Sequence, residues 1–195
     1  MSPTSVIFDV GHVLYERLFD DEQALDVFLN EVATREWHFQ HDAGRPFAET
    51  SAELGARFPE HAAMIALWGP RFGEQIPGPV PGMIAIVEEL DAAGVPLFAI
   101  TNFSHEFFPP FRAREAAVFD RFRDIVVSGD ERLVKPDAAI YRLALDRFGL
   151  AADEAFFIDD NAANIAGAQA LGIHAHLFTD AATLRPALVE AGLLR

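Results

Sequence analysis

Four of the five short apolar runs in this chain stop on residues that strands disfavour. Val6-Ile7-Phe8 runs into Asp9, 96–100 into Thr101-Asn102, 125–127 into Ser128-Gly129-Asp130, and 155–158 into Asp159-Asp160. The fifth run is Ala175-His176-Leu177-Phe178. The runs are rich in β-branched and aromatic residues and mostly lack polar alternation, as do strands covered on both faces of a parallel sheet. Helical patterns over 83–93, 138–148 and 164–171 lie between strands and are followed by Gly94, Gly149 and Gly172, where helix C-termini favour glycine. Strands alternating with helices predict a doubly wound, Rossmann-like α/β fold.

The first connection is too long for that pattern. About 85 residues separate Asp9 from Val95, whereas a crossover needs a dozen or so plus its helix. The helix at 83–93 serves as the crossover, so the excess must form a structure of its own. Its stretches 22–32, 46–57 and 59–68 carry spaced apolar residues, and Pro77-Gly78-Pro79-Val80-Pro81-Gly82 reads as a stiff return linker. The predicted division is a core of residues 1–14 and 80–195 with a small helical cap over 15–79.

Ligands of open α/β sheets bind beyond the carboxyl ends of the strands, so the polar run ends should converge on one rim. Lys135, in Val134-Lys135-Pro136-Asp137, precedes a helix near the same rim. Several converging carboxylates repel one another unless cations intervene. A lysine and a divalent ion are the simplest remedy, and oxygen donors without His or Cys favour magnesium over zinc.

Asp9-Val10-Gly11, Thr101-Asn102, Lys135-Pro136 and the stretch from Asp159-Asp160 to Asn164 resemble the four ordered motifs of the haloacid dehalogenase superfamily. The inserted segment falls where that family places a helical cap. More narrowly, Phe8-Asp9-Val10-Gly11-His12-Val13-Leu14 is similar to the branch holding bacterial sugar-phosphate phosphatases and the phosphatase domain of epoxide hydrolases. The resemblance implies that Asp9 is the nucleophile and Lys135 neutralises it and the developing charge. It also implies Asp9, the carbonyl of Gly11, and Asp160 as ligands of Mg2+, and Thr101 with the amide of Asn102 as phosphoryl contacts. Asp159 and Asn164 would support the metal and Lys135 from behind. The implied substrate is a small phosphorylated metabolite, with sugar phosphates the leading class.

One position departs from the pattern. Many phosphatases of the superfamily carry an Asp two residues after the nucleophile as general acid; here it is Gly11. A missing acid forgoes about 10²–10⁴ in rate, so slow turnover with poor leaving groups is expected unless an acid comes from elsewhere. His12 is a candidate substrate contact, set against a loop histidine facing away. In the cap, Trp37 and Arg45 are candidates for the substrate's non-phosphate part, with Glu16 and Arg17 as comparable choices. His38 and His41 are expected at helix ends beside a turn made by Asp42 and Gly44. Phe103, Ser104, His105 and Glu106 either edge the pocket or start a helix with Ser104 as cap. Phe107, Phe108 and Phe111, among 18 phenylalanines, are core or a subunit contact. His61, His174 and His176 read as structural or surface.

A net charge of -15 argues against a nucleic-acid partner, which needs a basic surface. With no cysteine, thiol catalysis and disulfides are excluded. No run approaches the ~18 apolar residues that span a bilayer, so no membrane association is expected. The start of the chain has no basic leader, and cytoplasmic residence, as monomer or homodimer, is the expectation. Other functions weighed are a 2-haloacid dehalogenase, which needs no metal and usually lacks the paired acids of the fourth motif, and a binding protein with weakened catalysis. A phospho-receiver domain is disfavoured because its acidic pair lies on the first strand.

Overall fold

The computed structural model describes residues 2–15 and 28–195. Five strands form one parallel sheet: β1 (Ser5–Phe8), β2 (Leu97–Thr101), β3 (Asp124–Val127), β4 (Ala155–Asp159) and β5 (His174–Leu177), in spatial order β3-β2-β1-β4-β5. The chain starts at the centre and winds out to both edges, so β1, β2 and β4 are buried along their whole length. Val6, Phe8, Leu97, Ala99, Phe156 and Ile158 face one apolar layer, and Ile7, Phe98, Ile100, Ala155 and Phe157 the other. Because both members of each alternation are buried, the central strands read as continuous apolar runs.

The first layer is closed by α4 (Met83–Ala92) and α10 (Ala181–Glu190), through residues such as Val87, Leu90, Leu184 and Leu188. The second is closed by α8 (Ala138–Phe148) and α9 (Ala162–Gln169), through Ile140, Tyr141, Ala144 and Ala168. The α9 pattern begins two residues before its expected start because Asn161 caps the helix, its side chain accepting from the Ala163 N–H at 2.8 Å.

Between β1 and α4 most of the described residues are helical. A π-helical turn (Phe28–Val32) leads to α1 (Arg35–Asp42), α2 (Phe47–Arg57), a 3₁₀ turn (Pro59–His61), α3 (Ala62–Trp68) and a second 3₁₀ turn (Phe72–Gln75). Most of the helix expected over 22–32, together with Glu16 and Arg17, lies outside the described residues. The insertion leaves and rejoins the core at one place: the Val80 N–H donates to the Leu14 carbonyl at 2.9 Å, and Tyr15 bridges to Pro79.

Thr34 caps α1, accepting from the Trp37 N–H at 3.3 Å; His41 lies in the last turn beside the turn at Gly44, while His38 sits in mid-helix. One expectation is corrected: of the polar end of β3 only Ser128 is held at the rim, its hydroxyl accepting from the Phe103 N–H at 3.0 Å. Ser128–Glu131 coils into a helical turn, α7, and Asp130 is exposed. A Cβ on Gly129 would stand 2.5 Å from the His105 nitrogen and 2.8 Å from the Phe103 oxygen, so this turn is a backbone seat for the loop after β2. Two short helices, α5 (Phe108–Arg114) and α6 (Ala116–Phe119), follow that loop, and their Phe108, Phe111 and Phe119 are core. Among the described residues no helix is long and apolar enough to cross a membrane.

Candidate active site

The ends of β1, β2 and β4 meet at one rim, as parallel strands with adjacent registers must. The Asp9 N–H donates to the Ile158 carbonyl at 2.8 Å, which carries the ladder one residue past β1 and leaves the Asp9 side chain at the strand mouth. Carboxylate oxygens of Asp9, Asp159 and Asp160 lie within 4.8 Å of one another.

Lys135 enters this group from the loop before α8. Its side chain is buried, with Nζ 2.9 Å from Asp9 Oδ1 and 2.6 Å from Asp159 Oδ2. Burial alone would push the ammonium's pKa down. The Asp9 and Asp159 charges outweigh that and hold it above the ordinary lysine value, so Lys135 stays charged. Asp159 is itself saturated: the Asn161 N–H reaches Oδ1 at 2.8 Å, and Asn164 Nδ2 reaches both oxygens at 3.0 Å. The backbone of Lys135 is gripped by the side chain of Asn102.

One ammonium does not balance three carboxylates. Burial pushes the Asp9 carboxyl up to about 7; Lys135 opposes the rise and the Asp159 and Asp160 charges add to it. Asp160 is also raised, by burial and by Asp159, with His12 opposing. A site that drives its own acids toward protonation is short of positive charge. The donors available are oxygens only, so the residues present fit a hard divalent cation such as Mg2+.

Above the rim is a cavity of about 470 Å³. Its floor includes Asp9, Gly11, His12, Asn102, Lys135 and Asp160, and its other side is built by the insertion. Arg35, His38, Phe39 and Asp42 line it, spaced so that one face of α1 is turned to the cavity. Asn30, His41, Phe72, Phe103 and Phe107 add to the wall.

Of the residues expected at the site, the structure brings together Asp9, Gly11, His12, Asn102, Lys135, Asp159, Asp160 and Asn164. Thr101 is the buried last residue of β2, directly before Asn102. Trp37 and Arg45 are placed elsewhere. Trp37 is buried within the insertion, its Nε1–H donating to the Thr50 carbonyl at 3.1 Å, because it occupies the face of α1 opposite the cavity. Arg45 pairs with Glu53 at 2.7 Å on the insertion's surface and also bonds Gln40. Neither lines the cavity. Phe103 does, while Ser104 accepts from the Glu106 N–H at 3.2 Å and Glu106 takes the Phe47 N–H at 3.2 Å. His61, His174 and His176 are remote from it.

Arg35, Phe39 and Phe72 were missed by sequence reasoning. The signal for the first two was available: Thr34 as cap and polar residues recurring at helical spacing from 35 to 42. Phe72, in a 3₁₀ turn, had no such signal.

The residues from 5 to 172 match the family model of haloacid dehalogenase-like hydrolases. The chain belongs to this family. Among curated members and relatives, it is 33% identical over 144 residues to the mouse acyl-CoA dehydrogenase family member 10, covering 70% of this chain but 12% of that protein. It is 25% identical over 189 residues to the sesquiterpene phosphatase astK of Aspergillus oryzae, covering 90% of each. A 95-residue stretch is 32% identical to (S)-2-haloacid dehalogenase 4A of Burkholderia cepacia, covering 48% of this chain and 40% of that enzyme. The fold is shared with a family enzyme of Bacteroides thetaiotaomicron solved as a magnesium complex, with a TM-score of 0.72 at 18% identity over 92% of this chain and 95% of that one. A family hydrolase from Porphyromonas gingivalis has a TM-score of 0.72 at 19% identity, covering 97% and 98%. The strand-end carboxylates of this hydrolase thus lie at the rim beyond which open α/β sheets bind their ligands.

Proposed function

We propose that this hydrolase is a divalent-metal-dependent phosphatase that cleaves a small phosphate monoester through Asp9. The observation that supports this most is the charge imbalance: three carboxylates within 4.8 Å of one another against the single ammonium of Lys135. Attack on a haloalkyl carbon needs a nucleophile but no such surplus of acids. The phosphatase among the relatives and the magnesium complex among the structural neighbours point the same way.

In the proposed reaction an Asp9 oxygen attacks phosphorus and the ester oxygen departs with the P–O electron pair, taking a proton from solvent water. Water then attacks phosphorus of the aspartyl-phosphate, releasing inorganic phosphate and restoring Asp9. Lys135 holds Asp9 in place and offsets charge on the phosphoryl oxygens. Asp159 and Asn164 fix Lys135, while Thr101 and the Asn102 amide are the phosphoryl contacts. Mg2+, held by Asp9, the Gly11 carbonyl and Asp160, would supply charge neutralisation at the phosphoryl group. His12 stands beside the leaving group, and the insertion covers the site as its cap. With glycine at position 11, substrates with poor leaving groups turn over slowly. Sugar phosphates are the class suggested by the motif resemblance.

Hydrolysis of 4-nitrophenyl phosphate in the presence of Mg2+, and its loss on chelation, is the expected result. Dechlorination of 2-chloropropionate that is indifferent to chelator, with no phosphate release, would overturn the proposal.

A further inference from the structure

We infer that the substrate's leaving group is an apolar, ring-sized alcohol rather than the polyhydroxylated one that the motif resemblance suggests; this rests on the phosphatase reading above. The case comes from the wall the cavity presents to anything attached to a phosphoryl group at Asp9.

Among the described residues, one part of that wall is aromatic, beside the polar Asn30, Arg35, His38, His41 and Asp42. Phe72 of the insertion stacks on Phe107 of the core at 4.8 Å, and Phe103 meets Phe72 edge-on at 5.4 Å. All three are less than a tenth exposed, and all three line the cavity. Phe39, on the cavity face of α1, is 46% exposed. An apolar ligand would remove that ring from water, whereas a polyol would not gain from it.

Among the described residues, several polar groups on this side are already committed: His41 Nε2 is engaged with Thr50 Oγ1 at 2.6 Å, and the Asp42 carbonyl accepts from the Ser128 hydroxyl at 2.5 Å. Arg35 lines the cavity from an exposed position, and His41 keeps Nδ1 for a ligand, so a polyol would find few partners beside the rings. Hydroxyls pressed against Phe72, Phe103 and Phe107 would lose water without gaining partners, which disfavours binding. A flat apolar body meets the rings at no such cost.

The test compares esters whose leaving groups are all primary alcohols: 2-phenylethyl phosphate, glycerol 3-phosphate and glucose 6-phosphate. With Mg2+ present, kcat/KM for 2-phenylethyl phosphate should exceed the other two at least tenfold, about 1.4 kcal/mol. By titration calorimetry, non-hydrolysable 2-phenylethylphosphonate should bind at least tenfold tighter than 2,3-dihydroxypropylphosphonate. The surface change Phe39→Ser and the conservative Phe72→Leu should each cut both preferences severalfold. Hydrolysis of all three esters with equal or reversed preference overturns the inference and leaves the phosphatase reading standing. Hydrolysis of none, with 4-nitrophenyl phosphate also untouched, overturns both.

Discussion

The side chain of Asn102 is bonded twice to the backbone of Lys135: Nδ2 donates to its carbonyl at 3.0 Å, and Oδ1 accepts from its N–H at 2.9 Å. This pair joins the end of β2 to the loop before α8 and so fixes where Nζ of Lys135 meets Asp9.

Asn102→Ala therefore strands a buried N–H and a carbonyl, at a cost of about 1–3 kcal/mol in stability. It also frees the Lys135 loop, and a shift of about 1 Å at such a site lowers kcat/KM on the order of 10²-fold. Asn102→Asp keeps the acceptor and loses the donor, so thermal denaturation and steady-state kinetics should place it between wild type and Asn102→Ala.

Lys135→Met leaves Asp9 and Asp159 without their cation. Stability should fall by about 3–5 kcal/mol near neutral pH, as when one partner of a buried pair is removed. Added Mg2+ should raise the melting temperature of this variant without restoring turnover.

Asp9→Asn should abolish turnover without unfolding the protein. The Asp9 carboxyl titrates at about 7 when folded, driven up mainly by burial, against 3.8 when unfolded. The folded state thus holds an extra proton between these values, and its contribution to stability is lost as pH rises through about 7. Metal-free wild type should lose on the order of 3 kcal/mol relative to Asp9→Asn over this range. Denaturant titrations at several pH values check it, and Mg2+ should remove the difference at high pH.

His41 behaves with the opposite sign. Burial, with Arg45 assisting, lowers its pKa from 6.5 to about 4. The unfolded chain binds the proton first, so stability is present above 6.5 and lost as pH falls toward 4. Relative to His41→Leu, wild type should lose about 2 kcal/mol over that interval. The two slopes oppose each other between these values, so each is read as a difference between wild type and its variant.

Gly129→Ala should cost about 1–3 kcal/mol, since its Cβ meets backbone at 2.5 and 2.8 Å that cannot rotate away. The displaced loop carries Asn102 and Phe103, so kcat/KM should fall with stability although residue 129 lies outside the cavity.

Much of the core was legible in the sequence because its signals are local. Burial on both faces writes apolar runs, and the resulting strands match those expected to within a residue or two, from Val6 to Leu177. The excess length before α4 announced an insertion for the same reason. The helix α1 was legible too, but its cap at Thr34 was overlooked.

The amino-acid sequence by itself determined that Asp9, Asn102 and Asp160 follow strands, because period and strand-end chemistry are properties of neighbouring residues. Only the tertiary structure decided the order β3-β2-β1-β4-β5, the grip of Asn102 on Lys135, and the turning of Asp130 to solvent and Trp37 into the insertion. Those depend on which distant segments touch. Close approaches such as Gly129 to His105 are settled by packing the whole chain at once.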